Sequence, residues 1–378
     1  MLFLYEEMKR LVDDRLNKMA KVLVDYSLSI KKGDSFLIQG HEVTIPLMKE
    51  LYKEALLRGA HPEVKVIVEE LAEIMLKYGN DEQIKYVSPV AQCSMEKYDA
   101  YLRLEGSFHT RPLVNVSPEK IRDRSTANKK INSTVQKRSF EGKMRWSITQ
   151  FPTYAGAMEA DMSLSEFEDF VFSACFVDKE DPVSEWLNLK NNQQKIIDYI
   201  KDKDVIRVVA DDTDLTLKVG GRTWINSCGT TNFPSGEVYT GPVEDSLNGH
   251  IRYTFPAIQN GKPVEDVRLT FKDGKVVNAS AKKGEDLLLA LIGTDSGSCY
   301  AGEFALGTNY GIQKFTKNIL FDEKIGGTIH IALGAAYPAT GSKNNSSIHW
   351  DMICDMRNGG EIYADGELFY KNGKFLYL

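Results

Sequence analysis

The chain is expected to fold as an α/β N-terminal domain, residues 1–190, followed by a mostly antiparallel, β-rich (α+β) domain, residues 191–378. Length is the first support, because 378 residues exceed what one core usually organises. A second is texture: helix and strand patterns alternate up to about residue 190, whereas turn-punctuated strands dominate afterwards. Between them lies a charged helical connector, "WLNLKNNQQKIIDYIKDKD" (186–204).

In the first half, "SFLIQG" (35–40) reads as a strand and "TIPLMKELYKEALLRGA" (44–60) as an amphipathic helix stopped by Gly59. The stretch "PEVKVIV" (62–68) alternates as a strand, and "KYDAYLRLEG" (97–106) and "RWSITQFP" (145–152) supply two more. Polar, helix-like segments separate them, so these are β-α-β units building a sheet flanked by helices. In the second half, "VIRVVADDTDLTLKVGG" (205–221) reads as two strands, and "VRLTFKDGKVVNASA" (267–281) as a hairpin turning at Asp273-Gly274. Asp365-Gly366 and Asn372-Gly373 mark two further turns, and "GEDLLLALIGT" (284–294) is a helix among the strands.

Composition excludes several classes. Hydrophobic content of 42% with 26% charge is ordinary globular chemistry. A net charge of −6 argues against a nucleic-acid surface. No run approaches the roughly 18 apolar residues of a membrane span. The N-terminal "MLFLYEEMKRLVDDRLNKMAKVLVDYSL" turns charged and helix-periodic, without the features of a signal peptide. Five scattered cysteines with no CxxC pair fit free thiols in a reducing cytosol. The expectation is a cytoplasmic protein. No Gly-x-Gly-x-x-Gly or Walker loop supports a nucleotide.

Chemistry concentrates in the second half. In "SSIHWDMICD" (346–355), Ile348, Trp350, Met352 and Cys354 alternate on one face of a strand, leaving His349 and Asp351 together on the other. A core avoids such residues unless something pairs with them. His330 lies in the apolar strand "GGTIHIALGAAY", where a lone histidine is commonly a satisfied core residue. Glu237 in "NFPSGEVYTGP" and Glu303 in "SCYAGEFALGTN" are Gly-flanked carboxylates, each also readable as an exposed turn acid. Together, two imidazoles and three carboxylates form a ligand set for two divalent cations, suited to zinc, cobalt or manganese. Paired ions of this kind activate water and polarise a carbonyl, so amide or ester hydrolysis is the natural reaction.

The stretches "PSGEVYTGPVEDSLNG", "GEFALGTN", "NILFDEKIGGTIHIALGAAY" and "SSIHWDMI", in this order, resemble the aminopeptidase T/aminopeptidase S family of dinuclear metallo-aminopeptidases. The resemblance is diffuse over the chain and specific in residues 230–355. It places metal ligands at Glu237, Glu303, His330, His349 and Asp351, with Glu323 as the glutamate of the "FDE" stretch and Tyr337 as the tyrosine following the first ligand histidine. It implies a β-rich catalytic domain, a homodimer enclosing the active site, and peptide substrates with a free N-terminus. Two divalent ions (zinc, cobalt, manganese or magnesium) are the implied cofactors. Two departures stand out. Only nineteen positions separate His330 from His349, and Asp322-Glu323-Lys324 stands where the family tends to read "DEN".

Roles follow from the chemistry. Glu237 and His330 would complete one ion's sphere and His349 would serve the other, with Glu303 or Asp351 shared between them. Glu323 would act as general base, and Tyr337 would donate to a developing oxyanion or touch a metal. As alternatives, Glu323 reads as a solvated charge and Tyr337 as a core tyrosine. The remaining histidines, His41, His61, His109 and His250, read as surface or supporting residues. Three other functions stay open: a cysteine hydrolase built on Cys299, a metallohydrolase of another amide or ester, and a peptide-binding relative without turnover.

Overall fold

A computed structural model describes residues 13–259 and 261–377. The apolar tip of the N-terminal helical stretch, residues 1–12, lies outside them. The chain divides into two compact units, Met1–Val183 with Gly229–Pro234, and Ser184–Cys228 with Ser235–Leu378.

The first unit is built on strands β1 (Ser35–His41), β2 (His61–Ile67), β3 (Ala100–Glu105) and β4 (Arg145–Gln150). All pair in parallel, in the order β2-β1-β3-β4, as expected where each return passes through a helix. Phe36, Leu37 and Ile38 of β1 are consecutive and buried, the mark of a strand covered on both faces. The helix Ile45–Leu57 carries Pro46 in its first turn and buries Leu47, Met48, Leu51 and Ala55, a stripe at helical spacing. Gly59, at φ +75°, then turns the chain into β2.

The helix Pro118–Phe140 fully buries none of its side chains; Ile121, Ile131 and Val135 pack partly buried against two small apolar clusters, and polar contacts add to them. Lys120 donates to the Leu76 and Gly79 carbonyls, Arg124 to those of Ile84 and Tyr86, and Arg138 to those of Met95 and Tyr98. These carbonyls lie at or just beyond the C-terminal ends of the helices Glu70–Tyr78, Asp81–Lys85 and Pro89–Lys97, where backbone acceptors lack intrahelical donors. The cations of this helix are therefore partly structural.

The second unit opens with the helix Pro182–Ile200, then β5 (Val205–Ala210), β6 (Thr213–Lys218) and β7 (Ile225–Ser227). The chain next contributes β8 (Asn232–Phe233) to the first unit, in parallel beside β4. It continues through β9 (Glu237–Thr240), β10 (Asn248–Arg252), the pair β11 (Ala257–Gln259) and β12 (Lys262–Val264), β13 (Arg268–Lys272) and β14 (Lys275–Ser280). After the helix Glu285–Ile292 come β15 (Ala301–Gly307), β16 (Thr328–Gly334), β17 (His349–Asp355), β18 (Glu361–Ala364), β19 (Glu367–Lys371) and β20 (Lys374–Phe375). Three hairpins fall at Asp/Asn-Gly turns, whose first residues (Asp273, Asp365 and Asn372) have positive φ as tight turns require.

Two antiparallel sheets result, ordered β14-β13-β10-β6-β5-β18-β19-β20 and β17-β16-β15-β9-β7. They share one core, in which Val208, Leu215, Ile251 and Phe271 from the first sheet join Phe304, Ile331, Trp350 and Met352 from the second. Every residue of β15 and β16 is buried on both faces, whereas His349 and Asp351 of β17 are partly exposed. The polar residues of interest lie on the face of the second sheet turned away from this core.

Candidate metal centre

Register assembles the site. On the core face of the second sheet the strands present Val238, then Phe304 and Leu306, then Ile329, Ile331 and Leu333, then Trp350, Met352 and Cys354. Alternation sends their neighbours to the opposite face: Glu237, Glu303, His330, His349 and Asp351, with Ala305, Gly307, Ala332 and Gly334 among them. Pairing sets Glu303 and Asp351 on either side of Ala332, Glu237 beside Gly307, and His349 beside Gly334. Small residues thus keep the floor between the polar side chains clear. The register shift at Gly302 retimes the start of β15 so that Glu303 falls opposite Ala332.

Both imidazoles are locked by backbone carbonyls. His330 Nδ1 lies 3.0 Å from the Glu323 carbonyl and His349 Nδ1 lies 2.7 Å from that of Ala335. A carbonyl only accepts, so each Nδ1 carries a proton and each Nε2 is left facing the carboxylates. His330 Nε2 is 3.5 Å from Glu237 Oε2, 3.6 Å from Glu303 Oε1 and 3.9 Å from Asp351 Oδ1. His349 Nε2 is 3.2 Å from Glu303 Oε2 and 3.4 Å from Asp351 Oδ1. The two oxygens of Glu303 are therefore divided between the two rings. The Ala335 carbonyl is aimed by Gly334, whose φ of +100° and backbone contact with Ile348 exclude a side chain.

Supporting contacts fix these positions. The buried Gln193 amide reaches the Ser227 and Glu237 carbonyls at 3.1 and 3.0 Å and Thr308 Oγ1 at 2.9 Å, holding the start of β9. Asp295 accepts from Ser346 and Ser347, tying down the segment that delivers His349. Buried Asp322 accepts from the Thr316 N–H and hydroxyl and closes the turn that presents Glu323. Burial pushes the Asp322 carboxyl up to about 7 against those bonds.

Three groups of side chains bring ligand atoms within 4.8 Å of one another: Glu237, Glu303 and His330; Glu303, His349 and Asp351; and Glu323, His330 and Asp351. All five residues expected to bind metal, with Glu323, are thus brought together. The ring of Tyr337 lies 5.1 Å from that of His349 and 5.5 Å from that of Tyr239, and is 45% exposed. It is a site-flanking residue and not the core tyrosine considered from sequence. Cys299 belongs to the shared core and to none of the ligand groups, so the cysteine-hydrolase alternative has no geometric support.

The electrostatics favour positive charge at the cluster. Burial pulls His349 down, but its contacts with Asp351 and Glu303 outweigh this and carry it up to about 11. Burial raises Asp351, yet the protonated His349 beside it prevails and brings it to about 2. Glu237, with less compensation, is raised by burial despite Lys324 and His330. Glu237 Oε2 and Asp351 Oδ1 are buried without hydrogen-bond partners. Such a set of oxygens and Nε2 lone pairs fits divalent cations, because a cation satisfies both donor types at once.

One residue escaped the sequence reading. Lys324 is fully buried, with Nζ in contact with Glu323 and 3.7 Å from Glu237 Oε1. Its signal was the substitution of lysine within the "DEN" pattern; nothing in sequence spacing announced that its ammonium would point into the cluster.

Comparisons with known proteins agree in direction. Residues 12–375 match the family described as thermophilic metalloprotease (M29). The chain is 29% identical to Aminopeptidase 2 of Geobacillus stearothermophilus over 364 residues, covering 89% of this chain and 87% of the relative. It is 26% identical to Aminopeptidase AmpS of Bacillus subtilis (strain 168), covering 96% and 98%. The structure of wild-type AmpT from Thermus thermophilus superposes with a TM-score of 0.84 at 22% identity, covering 96% of this chain and 99% of that one. This likeness extends to the fold, an α/β unit followed by a β-rich one. No helix among the described residues is long and apolar enough to cross a membrane.

Proposed function

The chain belongs to the thermophilic metalloprotease family, M29, and is a metallo-aminopeptidase, a hydrolase of peptide bonds; we propose that it works with two divalent ions held by Glu237, Glu303, His330, His349 and Asp351. The observation that carries this reading is the pair of imidazoles locked at Nδ1, each turning Nε2 toward buried carboxylates. Glu237 and His330 would serve one ion, His349 and Asp351 the other, and Glu303, with one oxygen toward each ring, would be shared. The oxygen and nitrogen donors suit zinc, cobalt or manganese, with magnesium a weaker match to imidazole.

Ions bound there supply Lewis acidity, making water a better nucleophile and the scissile carbonyl a better electrophile. Glu323 takes a proton from the attacking water and returns it to the leaving amine. Tyr337 flanks the site beside His349 and donates to the oxyanion as charge develops. The surrounding carboxylates attract the ammonium group of a peptide's free N-terminus, which orients the first peptide bond. The same reading takes the protein as a cytoplasmic homodimer: none of its five cysteines is in a disulfide, and the dimer rests on the family resemblance.

The test uses matched peptides differing only in N-terminal acetylation, with products followed by mass spectrometry. Free-amine peptides are expected to be cut after the first residue and acetylated ones to resist, with the loss in kcat/KM, since the cap removes the charge that orients the carbonyl. Internal cleavage, or equal rates on both, contradicts the aminopeptidase reading.

A further inference from the structure

Glu323 has two possible fates in this geometry. It lies within 4.8 Å of ligand atoms on His330 and Asp351, so it can act as a metal ligand as readily as a base. A carboxylate consumed as a ligand is a poor proton acceptor, because the ion already draws on its lone pairs. Something must decide between the two roles, and Lys324 is placed to do so. Its side chain is 0% exposed, its Nζ touches Glu323 and lies 3.7 Å from Glu237. Its backbone is pinned at both ends: its N–H donates to the Phe321 carbonyl, and its carbonyl accepts from the Asn309 N–H at 3.1 Å. The next two residues are Ile325, which is buried, and Gly326, where any side chain would meet Tyr310, so the segment has little room to shift.

We propose that Lys324 is a positioning residue whose buried ammonium holds the Glu323 carboxylate out of the coordination spheres, keeping it available as the base. This rests on the dinuclear reading above. A lysine supplies what an ion would supply to Glu323, a nearby positive charge, but releases the carboxylate's remaining lone pairs for proton transfer. It also partly offsets Glu237, which has a carboxylate oxygen toward Lys324 and another toward His330. When the ammonium is removed, Glu323 has no cation left except the ions, and it joins His330 and Asp351 as a ligand.

The test is a double-mutant cycle on the full-length protein, read as zinc affinity by competition with a chromophoric chelator. The variants are wild type, K324M, E323Q and K324M/E323Q, with K324Q and K324Q/E323Q run in parallel as a polar alternative. Circular-dichroism melts select the lysine replacement that folds. In the wild-type background E323Q is expected to change zinc affinity by less than about threefold. In the lysine-free background the same change is expected to weaken it by about tenfold or more, the coupling typical of groups in direct contact. K324M alone is expected to lower kcat with KM little altered, because the lost group acts in the chemical step. Small and equal effects of E323Q in both backgrounds overturn the role of Lys324 while leaving the base assignment intact. Loss of an ion on E323Q in the wild-type background overturns the base assignment itself, and the present proposal with it. A purely structural lysine would leave the Glu323 dependence of zinc affinity unmoved.

Discussion

Asp351→Ala and His349→Ala are each expected to strip metal from the protein and take peptide hydrolysis with it, while the chain stays folded. Both side chains project from the site face of β17, whereas its structural contribution comes from Trp350, Met352 and Cys354 on the other face. Truncation at 349 or 351 therefore opens no cavity in the shared core. Removing even a supporting partner of a metal ligand commonly costs about 10–100-fold in affinity, and loss of a direct ligand should exceed that. Asp351 stands in two of the three ligand groups and His349 in one. The aspartate variant is accordingly expected to be the more severe.

Proton linkage gives this expectation a direction with pH. In the metal-free protein His349 is carried up to about 11, so near neutrality a proton occupies the position an ion would take. Metal uptake must displace that proton, and zinc affinity is expected to weaken as pH falls. Elemental analysis together with a circular-dichroism melt checks both parts. An Asp351→Ala protein that is folded and retains wild-type metal content removes Asp351 from the ligand set.

Glu323→Gln is expected to do the opposite, keeping the metal and losing turnover by roughly two to four powers of ten, the usual contribution of a positioned acid–base group. The amide preserves the size of the side chain and can still accept a hydrogen bond from water, but it cannot accept the proton. The backbone carbonyl of Glu323, which locks His330, is untouched by the substitution. Metal binding by His330 should therefore survive. Elemental analysis beside steady-state kinetics separates the cases: metal loss makes Glu323 a ligand, and near-normal turnover makes it a bystander.

Much of this was legible in the sequence because local rules and tertiary demands coincide. The Asp/Asn-Gly turns announced their hairpins, since only tight turns require positive φ at those positions. His349 and Asp351 announced a buried polar face, since period-2 alternation leaves no other place for them once Trp350, Met352 and Cys354 enter the core. The "ALG" endings of both β15 and β16 carried a further signal: small residues recur on the face that carries Glu303, His330 and Asp351.

What was not legible depends on contacts between distant segments. β8 is only two residues long, too short for any periodicity, and exists because Ile148 and Thr149 of β4 offer it an edge. Residues Gly229–Pro234 consequently belong to the first unit, a detour that no composition shift marks. The division of Glu303's oxygens between two imidazoles follows from a register shift at Gly302 that alternation alone does not predict. Lys324 was hidden for the same reason. A lysine after "FDE" reads as solvated until the turn closed by Asp322 drives it inward.

Hydrolysis is expected to require metal held by this cluster, with two ions needed for full turnover. The most direct measurement is a titration of chelated, full-length protein with zinc, cobalt or manganese, following bound metal per chain and hydrolysis of a free-amine peptide in the same samples. No turnover is expected in the chelated protein, with recovery on adding metal and full activity only as the ratio approaches two ions per chain. Turnover that persists unchanged after complete chelation would rule out metal-dependent hydrolysis, and full activity at a single ion per chain would rule out a dinuclear centre.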